Sequence, residues 1–157
     1  MMRRKDRETS RETAEGILDA CPYGVLSTVQ PDGTPYGTPI SFVRDGDWLY
    51  FHGAKEGQKI NNLRACPQVC AAFVGDLQVL EKQFSLGYTS AVVFGTAEEV
   101  TEESEKIHGL RLLCLRYAPN NIEAWDDALE RNLHRTGVWK IRIDRISGKC
   151  NPIPAKT

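Results

Sequence analysis

The chain has 157 residues, enough for one domain with a genuine core. Its hydrophobic content of 41% and charged content of 26% are those of an ordinary soluble protein. A net charge of −1 gives no electrostatic case for nucleic acid, and no apolar run is long enough to span a bilayer.

Residues 1–9 carry Arg3, Arg4, Lys5 and Arg7 and read as a disordered, solvated arm, with a single domain over 10–157. The arm lacks the apolar stretch of a signal peptide, so the expected compartment is the cytoplasm. A first helix is predicted over about 10–20. Ala14, Ile17, Leu18 and Cys21 form its apolar stripe, Thr9 or Ser10 its cap and Pro22 its stop. Strands follow over 23–29, 35–43 and 48–52, joined by the turns Pro31-Asp32-Gly33 and Asp45-Gly46. Two Asp-Gly turns between apolar segments indicate an antiparallel meander. Pro35 and Pro39 lack an N–H, which puts the second strand at an edge or a bulge.

A short helix over 57–65 comes next, then strands over 69–74 and 84–100 with Gly87 and Gly95 as bends. Thr101 is the expected cap of a helix whose stripe is Ile107, Leu110, Cys114 and Tyr117, ended by Pro119. A further helix, from Asn120 or Asn121, is expected to bury Ile122, Trp125 and Leu129, with Trp125 read as core rather than as a lid. The last strand, 138–146, alternates: Trp139, Ile141 and Ile143 on one face, Lys140, Arg142 and Asp144 on the other. The expected fold is mainly β with added helices, a six-stranded antiparallel barrel rather than a βαβ fold. The five cysteines form no zinc-type spacing and read as reduced thiols; no metal site is expected.

The segment Leu49-Tyr50-Phe51-His52-Gly53-Ala54-Lys55-Glu56-Gly57-Gln58-Lys59 holds the chemistry. It reads as a strand, a turn with two glycines and a helix start bearing a lysine. Gly53 and Gly57 let backbone N–H groups approach an anion, the helix points its positive end at the same place, and Lys59 adds a full charge. Lys55 and Arg64 read as solvated. His52, taken as the last strand residue, stands where a ring attached to that phosphate can lie. A small phosphorylated cofactor is the expectation. Rossmann and Walker-type phosphate motifs are absent.

Tyr23-Gly24-Val25-Leu26-Ser27-Thr28, Pro35-Tyr36-Gly37-Thr38-Pro39-Ile40-Ser41-Phe42 and Tyr50-Phe51-His52-Gly53-Ala54-x-x-Gly57-x-Lys59 together resemble the pyridoxamine-phosphate-oxidase-like, FMN-binding split-barrel superfamily. The nitroimidazole-resistance, nitroimidazole-reductase-like branch is the most similar. Tyr88-x-Ser90-Ala91-Val92-Val93-Phe94-Gly95-x-Ala97 and the segment ending in Ser147-Gly148-Lys149 continue the resemblance, which spans about 16–150. It implies a six-stranded split β-barrel of Greek-key type. It also implies a homodimer with FMN at the subunit interface, held by Ile40, Ser41 and Phe42, by His52, Gly53, Ala54, Gly57 and Lys59, and by Ser90. Ile40, Phe42 and Tyr50 are suited to an apolar slot for the ring. Residues for pyridoxine-phosphate recognition are not recognisable, which argues against vitamin B6 chemistry.

Two functions follow from the resemblance. One is an FMN-dependent oxidoreductase that takes electrons from NADH or NADPH and reduces a small nitroaromatic or quinone. His52 would be the catalytic proton donor. The other is a non-catalytic flavin- or haem-binding carrier or sensor.

Overall fold

The structure is a computed structural model and describes residues 3–152. Eight antiparallel strands form one sheet: β1 (Glu8–Thr9), β2 (Gly24–Val29), β3 (Pro35–Ile40), β4 (Val43–Asp45), β5 (Trp48–Ala54), β6 (Gln68–Leu80), β7 (Ser85–Glu99) and β8 (Thr136–Asn151). The order is β3-β2-β6-β7-β8-β5-β4, with β1 paired to the end of β8. Four helices attach to it: α1 (Arg11–Ala20), α2 (Gln58–Ala65), α3 (Glu103–Tyr117) and α4 (Trp125–Asn132). No helix among the described residues is long and apolar enough to cross a membrane.

The architecture is the expected split barrel, with eight strands rather than six. One addition is β1. Residues expected in a disordered arm instead form a 3-10 turn over Lys5–Arg7 and the short ladder Glu8–Thr9; residues 1 and 2 of that arm lie outside the described residues. The other addition arises because the single strand expected over 35–43 is two. β3 pairs with β2 at the edge of the sheet, where Pro35 and Pro39 cost no central ladder bond, and β4 pairs with β5. The chain changes ladders at Ser41-Phe42. β6 also runs past its expected limits, to Leu80, and forms a long hairpin with β7, turned by a 3-10 turn and by Phe84 in the left-handed region (φ 47°). Where the β7–β8 ladder is bulged, with Asp144 of β8 as the extra residue opposite Phe94 and Gly95, only a glycine fits: a Cβ on Gly95 would collide with the Arg142 carbonyl oxygen.

The main core fills the barrel. Leu26, Leu49, Phe51, Phe73 and Ile141 are fully buried, and Phe42 meets Phe51 and Phe73 edge-on at 5.6 and 5.5 Å. Ser10 caps α1, its side chain accepting from the Thr13 N–H, and Ala14, Ile17 and Leu18 close one end. A second, smaller core of Val43, Tyr50, Val100, Leu113 and Val138 lies beneath α3.

The α3 stripe differs from expectation. Its buried residues are Gly109 and Leu113, because Gly109 lies against the Tyr50 ring, where a Cβ would stand 2.8 Å from a ring carbon. The helix starts after Glu102 with no side-chain cap, so Thr101 does not serve as one. The helix expected after Pro119 is a 3-10 turn over Pro119–Ala124 followed by α4, which buries none of its residues.

Candidate functional site

β5 sets the parity of the site. Leu49 and Phe51 point into the barrel, so Trp48, Tyr50 and His52 share the outer face. Tyr50 is buried there under α3, and its hydroxyl donates to Glu105 Oε1 at 3.0 Å. Burial, then the bond to Glu105, pushes the phenol up to about 12. Tyr50 is thus spent on holding α3 and does not line an open slot. His52 is not the last strand residue: the ladder continues through Gly53 and Ala54, which pair with Gly137 and Thr136.

After β5 the chain turns and enters α2. Gly57, at φ +116°, takes the N-cap position, where an L side chain is strained. No side chain caps the helix, so its first N–H groups face the turn. Lys59 reaches back over the end of β5. Its Nζ lies 3.2 Å from where a Gly53 Cβ would be and 5.5 Å from the centre of the Phe51 ring. Lys59 is half-buried, and burial lowers its pKa. Among the described residues it has no carboxylate partner. Gly53, Gly57 and Lys59 are therefore brought together, with Ala54 exposed between them. Arg64 is not part of the group; it pairs with Glu99 at 3.0 Å.

The ladder change at 40–42 supplies the next wall. Ile40 and Phe42 point into the main core, at 9% and 2% exposure, so neither side chain forms an outer slot. Ser41 alone of the three faces out. The Phe42 carbonyl oxygen accepts a hydrogen bond from Tyr117 at 2.7 Å, which ties the end of α3 to this strand switch.

Between β5, α3 and α4 lies a cavity of about 450 Å³, with Ser41, His52 and Thr136 on the barrel side and mainly apolar residues of α3 and α4 opposite. His52 stands at its rim, open to solvent on one side. The surrounding protein, and secondarily the Lys59 charge, lower its pKa, so the ring is neutral at pH 7. Sequence reasoning assigned Leu110, Cys114, Tyr117, Trp125 and Leu129 to packing; their helical spacing was visible, but not that the stripe faces a void.

Ser90 is not brought to this place. Its hydroxyl donates to the Lys149 carbonyl oxygen at 3.4 Å, near the end of β8, whereas Gly53 pairs with Gly137 at its start. Within one chain, Ser90 and Lys59 belong to different sites.

A family model described as pyridoxamine 5'-phosphate oxidase matches residues 10–150. No curated protein matches the chain. Among solved structures, it is similar to a candidate 5-nitroimidazole antibiotic resistance protein from Bacteroides thetaiotaomicron, with 26% identity and a TM-score of 0.76 over 89% of this chain and 83% of that one. It is also similar to the flavocytochrome Anf3 from Azotobacter vinelandii, with 25% identity and a TM-score of 0.82 over 98% and 73%. A protein from Mycobacterium smegmatis that binds FAD and haem shares 26% identity, with a TM-score of 0.78 over 96% and 77%.

Proposed function

We propose that this chain, which belongs to the pyridoxamine 5'-phosphate oxidase family, is an FMN-binding oxidoreductase that works as a homodimer and reduces a small electrophile. The flavoprotein reading draws on similarity to a flavocytochrome and to a protein that binds FAD and haem. The choice of FMN rests on one observation above all: Lys59, half-buried and without a carboxylate partner among the described residues, stands over a turn free of side chains at an uncapped helix start. An ammonium held in that way lacks a counter-charge that a phosphate supplies.

Gly53, Gly57 and Lys59 would hold the phosphate, and the ring would lie toward Ser41 and His52. Bound FMN would supply hydride transfer from a nicotinamide donor to an acceptor. The protein's share is positional and protic. His52, neutral at pH 7, carries one ring N–H that can donate to a carbonyl or nitro oxygen as charge develops there. The helices α3 and α4 wall that place on one side.

The homodimer reading draws on a face of the sheet that turns away from the core. Pro39, Val25, Ala72, Val92 and Ser147 are aligned across β3, β2, β6, β7 and β8. The helix α3 packs over β4 and β5 instead. An outward row so poor in charge suits a second copy. Ser90 lies on this face, which would put it at the interface rather than beside its own chain's Lys59.

The test compares FMN and riboflavin binding in the parent and Lys59→Ala. Loss of a charged contact of about 1.5–3 kcal/mol weakens FMN binding roughly ten- to hundred-fold and leaves riboflavin unchanged. Equal FMN affinity in the two proteins would overturn the phosphate assignment. A carrier or sensor is the second reading, favoured by the similarity to a flavocytochrome. It would bind flavin or haem and show no oxidation of NADH or NADPH with any quinone or nitroaromatic acceptor.

A further inference from the structure

The helix α4 has an apolar side that is only half-buried. Trp125, Ala128 and Leu129 point inward, as does Leu133 beyond its end, yet none of them is buried. They wall the cavity of about 450 Å³ instead, facing Leu110 and Cys114 of α3. That volume falls in the range of small-molecule sites, roughly 300–1,000 Å³. The helix sits there as a cover: Lys106 Nζ of α3 donates to the Leu133 carbonyl oxygen at 2.5 Å, and the Arg111 guanidinium lies 6.0 Å from the centre of the Trp125 ring.

The polar groups of the lining narrow the occupant. Asn132 and Thr136 are already engaged: Asn132 Nδ2 donates to the Ala128 carbonyl oxygen at 2.7 Å, and Thr136 Oγ1 to the Asn132 carbonyl oxygen at 2.8 Å. Ser41 and His52, together on the barrel side, make no side-chain hydrogen bond among the described residues. No carboxylate, lysine or arginine lines the space. The walls thus ask for a neutral molecule with an apolar body and one hydrogen-bonding edge, and the Trp125 ring favours a flat body.

We propose that this cavity is the acceptor site, that it takes a neutral one- or two-ring quinone or nitroaromatic with its oxygen edge toward His52 and Ser41, and that Trp125 and Leu129 of α4 set the size limit. This rests on the flavoprotein reading above and deepens it. The probe is 2-methyl-1,4-naphthoquinone, its binding measured by equilibrium dialysis on parent, Leu129→Trp and Cys114→Phe, with FMN titrated on the same proteins and folding checked by circular dichroism. The two variants fill the space from opposite walls. Each is expected to weaken quinone binding at least tenfold and to leave FMN affinity within about twofold. Trp125→Ala is expected to improve binding of the three-ring 9,10-phenanthrenequinone relative to the two-ring probe. Unchanged quinone affinity in both filled variants overturns the proposal. Loss of FMN binding in folded filled variants also overturns it, because the flavin ring then occupies the cavity. If the parent binds the quinone, both variants lose it and no protein binds FMN, the flavin reading fails and the cavity stands as a quinone site.

Discussion

His52 and Lys59 influence each other through space. Both are held where their charged forms are disfavoured, and the Lys59 charge adds to the burial that lowers His52. The sign for stability follows. In the folded state His52 binds its proton less readily than in the unfolded chain, whose value is about 6.5. Its favourable contribution is therefore present above about pH 6.5 and is lost as pH falls toward the lower folded-state value. Between pH 8 and pH 5 the urea midpoint of the parent should drop further than that of His52→Gln. In turnover, His52→Gln should be slower by about 10²-fold at equal FMN occupancy, the scale of a lost general acid, with FMN affinity little changed. Equal turnover would return His52 to a structural role within β5. A second residue carries a cost unrelated to the site. Thr38 Oγ1 is buried with no partner among the described residues. An unpaired buried hydroxyl costs about 1–3 kcal/mol, so Thr38→Val, of similar shape, should stabilise the protein by about 1 kcal/mol in urea unfolding.

The element that matters most for the phosphate turn is α2, and a buried polar chain holds it in place. Asn62 is fully buried, and its Nδ2 donates to Thr28 Oγ1 at 2.9 Å. Thr28 Oγ1 in turn donates to the Tyr36 carbonyl oxygen at 3.3 Å, and Gln58 Nε2 donates to Asn62 Oδ1 at 2.8 Å. One residue of the helix is thereby tied to β2 and, through it, to β3, which fixes where Lys59 stands relative to Gly53. Removing Asn62 leaves partners unpaired in the interior. Asn62→Ala should cost about 2–3 kcal/mol in urea unfolding and should weaken FMN binding as well. Saturating FMN should restore part of the lost stability, as any ligand of the folded state does. The helix α3 is fixed at both ends: Glu105 takes hydrogen bonds from Tyr50 and from Lys140, the latter at 2.7 Å, and at the far end Arg116 donates to the Cys21 carbonyl oxygen at 2.6 Å. The cavity wall it provides is therefore held at both ends, and α4 is tied to it through Lys106 and the Leu133 carbonyl oxygen.

At the scale of the whole molecule, the barrel presents two different outsides. Over β4 and β5 it is covered by α3. On the other side, the row from Pro39 to Ser147 and the neighbouring Cys70 and Phe94 face outward, with Arg145 stacked over Phe94 at 4.1 Å. An obligate dimer through that face should bury more than about 2,000 Å² in total. Ala72 is at the middle of the row, between Val25 and Val92. Ala72→Arg sets two like charges against each other across a two-fold contact and should give a monomeric mass by light scattering at micromolar concentration, where the parent gives a dimer. A parent that is monomeric with FMN bound would rule the dimer out.

The amino-acid sequence by itself determined whatever depends on neighbours along the chain. The strand from Trp48, the glycine turn and the helix start with Lys59 are local geometry, as are the Asp-Gly turns and the proline-marked edge strand, and they were legible together with the family. Tertiary structure decided whatever depends on which residues are paired across the sheet. Side chains alternate along a strand, so the register alone sends Ile40 and Phe42 inward, turns Ser41 outward and puts Tyr50 under α3 instead of into a slot. The break of one expected strand into β3 and β4 has the same cause, since the chain changes pairing partners there. The cavity was out of reach for a related reason. An apolar stripe at helical spacing reads the same whether it meets a core or a void, and only the placement of α4 over α3 and β5 leaves Trp125 and Leu129 facing a space about 450 Å³ in size.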